Sequence, residues 1–410
     1  MTYRLSVDSL PSGDDACLAS LLERAVTHAC KELEAGRLHA LSIARERDDL
    51  DGLKAHAERM VDGAECIVVL GAGGSSLAGQ ALAALRDDAS ERLVFLDNID
   101  PETWQRLWSH HTPGSLRFLT VSKSGGTAET MAQLLLALDA MESAGLDARS
   151  WLTAVTEPGA RPLRELAEAH NAPVIDHPAD VGGRFSALSV SGLLPAVLAG
   201  LDPTAVRQGA EVVLDDFLGN GSGSAPARAA HMAVAHERAG IGVQVLLAYA
   251  DRLAPLARWW VQLWGESLGK DGKGSTPVAA RGANDQHSQL QLWRDGTRRH
   301  MVTVLGTDPG SDTSAMTTAR DDLSYLHGHT LGDLFRAERD ATVDSLASVG
   351  VPVRQLICER ADEHTMGALF AHFMIETILA AHMIGVDPFG QPAVEDGKQR
   401  TRETLWATAP

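Results

Sequence analysis

Apolar positions along this 410-residue chain follow two spacings. Short, largely apolar runs occur at Cys66–Leu70, Leu93–Leu96, Arg117–Val121 and Trp151–Val155. Between them, apolar residues recur every three or four positions. The short runs predict buried strands, and the longer spacing predicts amphipathic helices. Strands alternating with helices imply a parallel sheet covered on both faces. Two N-terminal stretches read as helices, the second on Leu50, Leu53, Ala57 and Met60. The polar stretch Gly219-Asn-Gly-Ser-Gly-Ser-Ala-Pro226 suits a domain boundary or an exposed loop. After it the alternation restarts: strands at Val243–Tyr249, His300–Leu305 and Val351–Cys358, helices at Leu253–Leu268 and Leu331–Val349. The chain thus reads as two α/β units in succession. The most apolar segment, Met366–Val386, carries His372, Glu376 and His382, which a lipid span tolerates poorly. It is expected to be a buried helix.

Hydrophobic residues make up 44% of the chain, enough for a sizeable core. With 36 Lys+Arg against 54 Asp+Glu, the formal net charge is −18. Such a surface repels nucleic acid and anionic membranes, so neither is an expected partner. An anionic ligand would need a local cluster of donors. The four cysteines, Cys17, Cys30, Cys66 and Cys358, form no CxxC pair and have no zinc-like histidine spacing. Scattered thiols fit a reducing cytoplasm. The N-terminus lacks the apolar run of a secretion signal.

Two predicted strand ends carry donors that could make up that cluster. Leu70 leads into Gly71-Ala-Gly-Gly-Ser-Ser76, and Val121 leads into Ser122-Lys-Ser-Gly-Gly-Thr127. Ligands of parallel sheets bind beyond the carboxyl ends of strands. Glycines let backbone N–H groups converge, hydroxyls add donors, and the following helix contributes its positive end. Lys123 adds a charge. The first loop alone could equally be a helix cap or a dinucleotide turn, with Asp97 as the ribose acid. The second loop favours a compact phosphate monoester. No GxxxxGK[ST] Walker loop is present.

Further along, Trp259-Trp-Val-Gln-Leu-Trp-Gly-Glu266 reads as a helix placing Gln262 and Glu266 on one face. Apolar neighbours would desolvate Glu266 and make it a better general base; the alternative is a surface glutamate beside Lys270. His287, within Gly282-Ala-Asn-Asp-Gln-His-Ser-Gln289, sits in an expected hydrogen-bonding loop, suited to proton transfer or simply solvated. Arg184, in Val181-Gly-Gly-Arg-Phe-Ser-Ala-Leu188, offers a donor fork to an oxyanion, or caps a helix. Lys398 lies about two turns into a helix begun near Pro392; alone it would be a surface lysine.

Taken in order, the segments GAGGSSLAG, SKSGGTAET, GGRFSALS, the Glu266 helix with NDQHSQLQLW, and PFGQPAVEDGK resemble the glucose-6-phosphate isomerase family. They span Gly71 to Lys398 and are closest in wording to the short bacterial members, including those fused to transaldolase. The resemblance implies two sugar-isomerase (SIS) domains, each a doubly wound, mainly parallel sheet with helices on both faces. It divides the chain into an N-terminal helical segment (1–62), a first domain (63–218), a second domain (219–386) and a C-terminal helix (387–410) carrying the catalytic lysine. It implies interconversion of glucose 6-phosphate and fructose 6-phosphate through an enediolate, with no metal or organic cofactor. Isomerisation of mannose 6-phosphate and a non-catalytic sugar-phosphate regulator are the alternatives. By motif match, Ser122, Lys123, Ser124, Gly125, Gly126 and Thr127 hold the phosphate, while Gly74 and Ser75 lie along the sugar. Glu266 is the base, with Gln262 one turn before it. Arg184 stabilises the enediolate, and His287 and Lys398 assist ring opening. The family supplies that histidine from the neighbouring subunit, which implies a cytoplasmic homodimer. The last motif departs from the family pattern: Gly390 stands where Asp is usual, and Pro392-Ala393 replaces Trp-Gly or Pro-Gly.

Overall fold

The computed structural model describes residues 3–7, 15–309 and 314–408. The extreme ends of the expected N-terminal helical segment and C-terminal helix lie outside those residues. The N-terminal segment is not wholly helical. It opens with strand β1 (Tyr3–Val7), followed by the helices Asp15–Glu34 and Leu50–Val61. The expected helices carry longer apolar repeats, whereas β1 has only Tyr3 and Leu5 directed at the core.

Five strands form the first sheet: β2 (Cys66–Leu70), β3 (Leu93–Leu96), β4 (Leu116–Val121), β5 (Leu152–Thr156) and β6 (Val174–Asp176). Their order is β3-β2-β4-β5-β6, and every pairing is parallel. The second sheet holds β7 (Val243–Ala248), β8 (Thr276–Arg281), β9 (His300–Thr307) and β10 (Val353–Cys358). Its order is β1-β10-β9-β7-β8; only β1 runs antiparallel. The parallel strands of the two sheets share one winding, in which the first lies between the second and the third. This is the doubly wound α/β class expected from the alternation.

Side chains alternate across each sheet. Cys66, Val68 and Leu70 pack on the outer helices Pro101–His110, Ala128–Ser143 and Pro162–Ala169, while Ile67 and Val69 face inward. In the second sheet Val245 and Leu247 face outward, and Leu246 and Ala248 face inward. The largest core therefore lies between the sheets, around a central layer of helices. Its spine is Glu363–Ile384, the apolar segment expected to be a buried helix. By length and composition alone this helix could cross a membrane, yet it is buried among the helices Pro203–Asn220, Ala225–Arg238, Ala254–Leu268 and Asp15–Glu34. Close backbone contact explains two glycines: a Cβ on Gly367 would lie 1.7 Å from the Val206 carbonyl oxygen, and one on Gly209 the same distance from that of His364.

Glu376, on that spine, is fully buried and meets Arg354 of β10 at 2.7 Å. His372 lies 3.4 Å from its other oxygen, and the Tyr3 hydroxyl is 2.6 Å from His372 Nδ1. Burial opposes charge on Glu376, but Arg354 and His372 hold its carboxyl below the usual range. The network ties β1 to the core. The stretch Gly219–Pro226, expected as a domain boundary or exposed loop, is a single turn between Pro203–Asn220 and Ala225–Arg238, with Ser224 and Pro226 buried.

Candidate active site

In the first sheet β2 lies between β3 and β4, so a crevice opens beyond the carboxyl ends of β2 and β4. Both sequence-flagged loops border it. They are in contact at their roots, since a Cβ on Gly71 would sit 3.1 Å from the Val121 carbonyl oxygen. In the second loop Ser122 Oγ and Thr127 Oγ1 are 3.0 Å apart. Thr127 stands at the N-terminus of the helix Ala128–Ser143, where backbone donors and the helix dipole favour an anion. Gly125 adopts φ +68°, and its N–H donates to the Ser122 carbonyl. Ser124 and Gly126 are exposed. Lys123 is not a free charge: Nζ lies 3.3 Å from Glu157, which also meets Arg161.

Asp97, the acid that a dinucleotide turn would direct at a ribose, accepts instead from Gln80 at 2.8 Å. Gln80 also donates to Ser76 Oγ at 2.7 Å. Gly73 and Gly74 allow two distant segments onto the first loop. Gly73 takes φ +57°, and a Cβ there would lie 2.7 Å from Gln262 Nε2. A Cβ on Gly74 would lie 2.3 Å from the Gly183 backbone. Beside Gly74, Ser75 is half-buried, and the Ser186 hydroxyl donates to the Gly74 carbonyl at 3.2 Å. Helix Ala254–Leu268 and the short 3-10 helix Gly183–Leu188 are thus pressed against the crevice.

Those segments carry Glu266 and Arg184. Gln262 Nε2 donates to Glu266 Oε1 at 3.0 Å, one helical turn away as the spacing predicts. Arg184 Nη1 donates to Glu266 Oε2 at 3.2 Å. The Glu266 side chain keeps 28% of its surface exposed, so it is held yet reachable. Arg184 is buried and saturated with partners. Nε donates to Ser267 Oγ at 2.8 Å, and Nη1 donates also to Gln391 Oε1 at 2.8 Å. Nη2 reaches the carbonyls of Pro388, Phe389 and Gly390. Burial pulls the Arg184 guanidinium below its ordinary value, and the charges of Glu266 and Asp387 oppose that shift.

Arg184, Gln262 and Glu266 are therefore in contact with one another and with the first loop at Gly73 and Gly74, and the Ser122–Thr127 loop adjoins the first loop at its root. His287 and Lys398 do not join them within the chain. His287 is exposed in the first turn of helix Gln286–Asp295, not in a loop, because Asp285 organises a helix start there, accepting from Arg281 N–H and Ser288. Lys398 is exposed on helix Ala393–Ala407 and pairs with Glu395 at 2.7 Å. Ser267, Lys270, Asp387 and the carbonyls of residues 388–390 also belong to the site's framework. Residues 388–390 fall in the PFGQPAVEDGK segment of the resemblance, and Asp387, followed by Pro388, carries the local signal of a turn.

Comparison with known proteins finds a family for the chain as a whole. Residues 53–406 match the family model described as phosphoglucose isomerase. The chain is 40% identical to a probable glucose-6-phosphate isomerase of Haloarcula marismortui, over 83% of this chain and 78% of that one. It is 37% identical to the glucose-6-phosphate isomerase of Rubrobacter xylanophilus, over 88% and 87%. A crystal structure of a hypothetical protein from Thermus thermophilus superposes with a TM-score of 0.90 at 33% identity, covering 98% of this chain and 99% of that one.

Proposed function

The chain belongs to the phosphoglucose isomerase family, and from that membership we propose that it interconverts glucose 6-phosphate and fructose 6-phosphate. The observation that carries this reading is the Glu266 carboxylate, held between the Gln262 amide and the Arg184 guanidinium at the rim of the crevice. Aldose–ketose exchange needs one base that takes a proton from C2 and returns it to C1. It also needs positive charge where the enediolate oxygen develops. Glu266 serves as the base, with Gln262 fixing its carboxylate. Arg184 faces the oxyanion, and a substrate oxygen would take the place of Gln391 or Glu266 on Nη1. Ser122, Lys123, Ser124, Gly125, Gly126 and Thr127 hold the phosphate, and Gly74 and Ser75 line the sugar. Phosphate gripped away from the reacting carbons supplies orientation.

His287 and Lys398 open the sugar ring. The exposure of His287 fits its contribution to a partner's crevice in a homodimer. Exposed Val394, Leu405 and Trp406 on helix Ala393–Ala407 favour burial against a second copy. Each sheet with its helices is read as one sugar-isomerase domain of a cytoplasmic enzyme. A coupled assay with fructose 6-phosphate, run beside mannose 6-phosphate, tests the proposal. Wild type turns over the first, and Glu266→Gln loses turnover by about 1,000-fold or more while still binding it. Undiminished turnover in Glu266→Gln, or preference for mannose 6-phosphate, overturns the reading.

A further inference from the structure

The helix Glu363–Ile384 ends at Gly385, which takes the left-handed conformation at φ +74°. Val386 N–H returns to the Ala381 carbonyl, and Lys273 Nζ caps the Ile384 carbonyl at 2.9 Å. Pro388 cannot continue a helix. The chain then crosses the candidate site as a short strap, residues 387–391, before helix Ala393–Ala407 begins.

This strap meets Arg184 in an unusual way. Three successive carbonyls, those of Pro388, Phe389 and Gly390, converge on one guanidinium nitrogen. An extended backbone points successive carbonyls to opposite sides, so the strap must be turned for all three to converge. The turn is built around Asp387. Its Oδ1 accepts the Phe389 N–H at 3.0 Å and its Oδ2 accepts the Gly390 N–H at 3.2 Å. This is the local hydrogen bonding by which an aspartate imposes a turn on the residues after it. The Asp387 carbonyl accepts from Lys270 Nζ. Lys270 lies four residues after Glu266, just beyond the end of the same helix. One carboxylate and one ammonium thus fix a strap whose function is to receive Arg184.

We infer that Asp387 is a positioning residue for the reaction: by shaping the 387–391 strap it sets where the Arg184 guanidinium stands relative to Glu266. The inference rests on the isomerase reading above. Asp387 does not reach the substrate. Its removal leaves the phosphate loop intact but lets the three carbonyls turn away, so that Arg184 settles deeper or swings off Glu266. Partial burial opposes ionisation of Asp387, but the two N–H groups and the charges of Lys270 and Arg184 hold its carboxyl below the usual range. The acceptor is therefore a full carboxylate near neutrality.

Asp387→Ala and Asp387→Asn are compared with wild type by steady-state kinetics and by hydrogen exchange of the Phe389 and Gly390 amides. Loss of the strap lowers kcat by about 10- to 100-fold in Asp387→Ala, with KM for fructose 6-phosphate within about threefold of wild type. Asn keeps one acceptor oxygen and recovers part of the loss. Both amides exchange faster in Asp387→Ala. Unchanged kcat together with unchanged amide exchange overturns the inference, as does a rise in KM with kcat retained. A wild type that does not isomerise sinks the functional reading instead, and the amide exchange then still decides whether Asp387 holds the strap. If Asp387→Ala fails to fold, the kinetic split and amide exchange of Asp387→Asn decide.

Discussion

Glu266 divides its two carboxylate oxygens between an amide on its own helix and a guanidinium from another segment of the chain. The first partner was legible in the sequence, because Gln262 and Glu266 stand one turn apart. The second was not. Arg184 was recognisable as a donor fork, but its contacts with Ser267, Gln391 and three backbone carbonyls arise only where three segments converge. Ser267 and Lys270 have no spacing that sets them apart from surface residues. The glycines differ again. GAGGSS read as a ligand loop with Gly74 along the sugar, and the structure gives Gly74 a packing duty against Gly183 as well. Gly74→Ala therefore forces backbone apart at the crevice. It is expected to cost about 1–3 kcal/mol of stability, read as a lowered denaturant midpoint, and to lower turnover through displaced Arg184. A midpoint equal to wild type contradicts that packing.

Among the elements, apolar strands were legible, the edge strand β3 included, and the polar edge strands were not. β2, β4, β7 and β9 lie inside their sheets and carry largely apolar sequences. β1, β6 and β8 lie at sheet edges, where one side needs no partner and polar residues and Pro277 are tolerated. The short helix His39–Ser42 shows how elements are fastened around the crevice. His39 lies between Asp180 and Glu46, at 2.9 Å from each. Asp180 leads into the loop that ends at Arg184. Burial pulls the His39 imidazole down, but the two carboxylates outweigh it and raise it above the ordinary 6.5. A folded value above the unfolded one contributes stability that is complete below 6.5 and fades as pH climbs through the folded value. At the acid end it fades again once the carboxylates protonate. His39→Gln should thus lower the melting temperature most near pH 5–6 and least near pH 9. A difference that grows with rising pH contradicts the clamp.

The whole molecule repeats one winding twice, and among the described residues the two copies carry different loops. The first crevice has Gly71–Ser76 and Ser122–Thr127. The second, beyond β7 and β9, has Tyr249-Ala-Asp251 and, among the described residues, Thr307-Asp-Pro309. Its rim carries Asp251, Asp308 and Glu359 beside Arg252 and Arg360, and both arginines are paired with carboxylates, Asp87 and Asp362. Two similar sheets were legible from the alternation; their unequal chemistry was visible only once the strand order located both crevices. At this scale the proposed dimer makes a sharp prediction. Glu266→Gln and His287→Ala are each inactive alone. Mixed after unfolding and refolding, half of the dimers pair unlike chains and each restores one native crevice, giving about a quarter of wild-type activity. No recovery on mixing contradicts a histidine shared across the interface.

The reaction proposed here turns on a proton carried by Glu266, and solvent exchange reads that proton directly. Glucose 6-phosphate and fructose 6-phosphate are equilibrated with the protein in deuterium oxide, and the C2 and C1 protons are followed by nuclear magnetic resonance. Wild type is expected to incorporate deuterium at C2 of the aldose and at one C1 position of the ketose. Glu266→Gln is expected to bind the same sugars and incorporate none on that timescale. Deuterium entering at the wild-type rate in Glu266→Gln would contradict the assignment of the base.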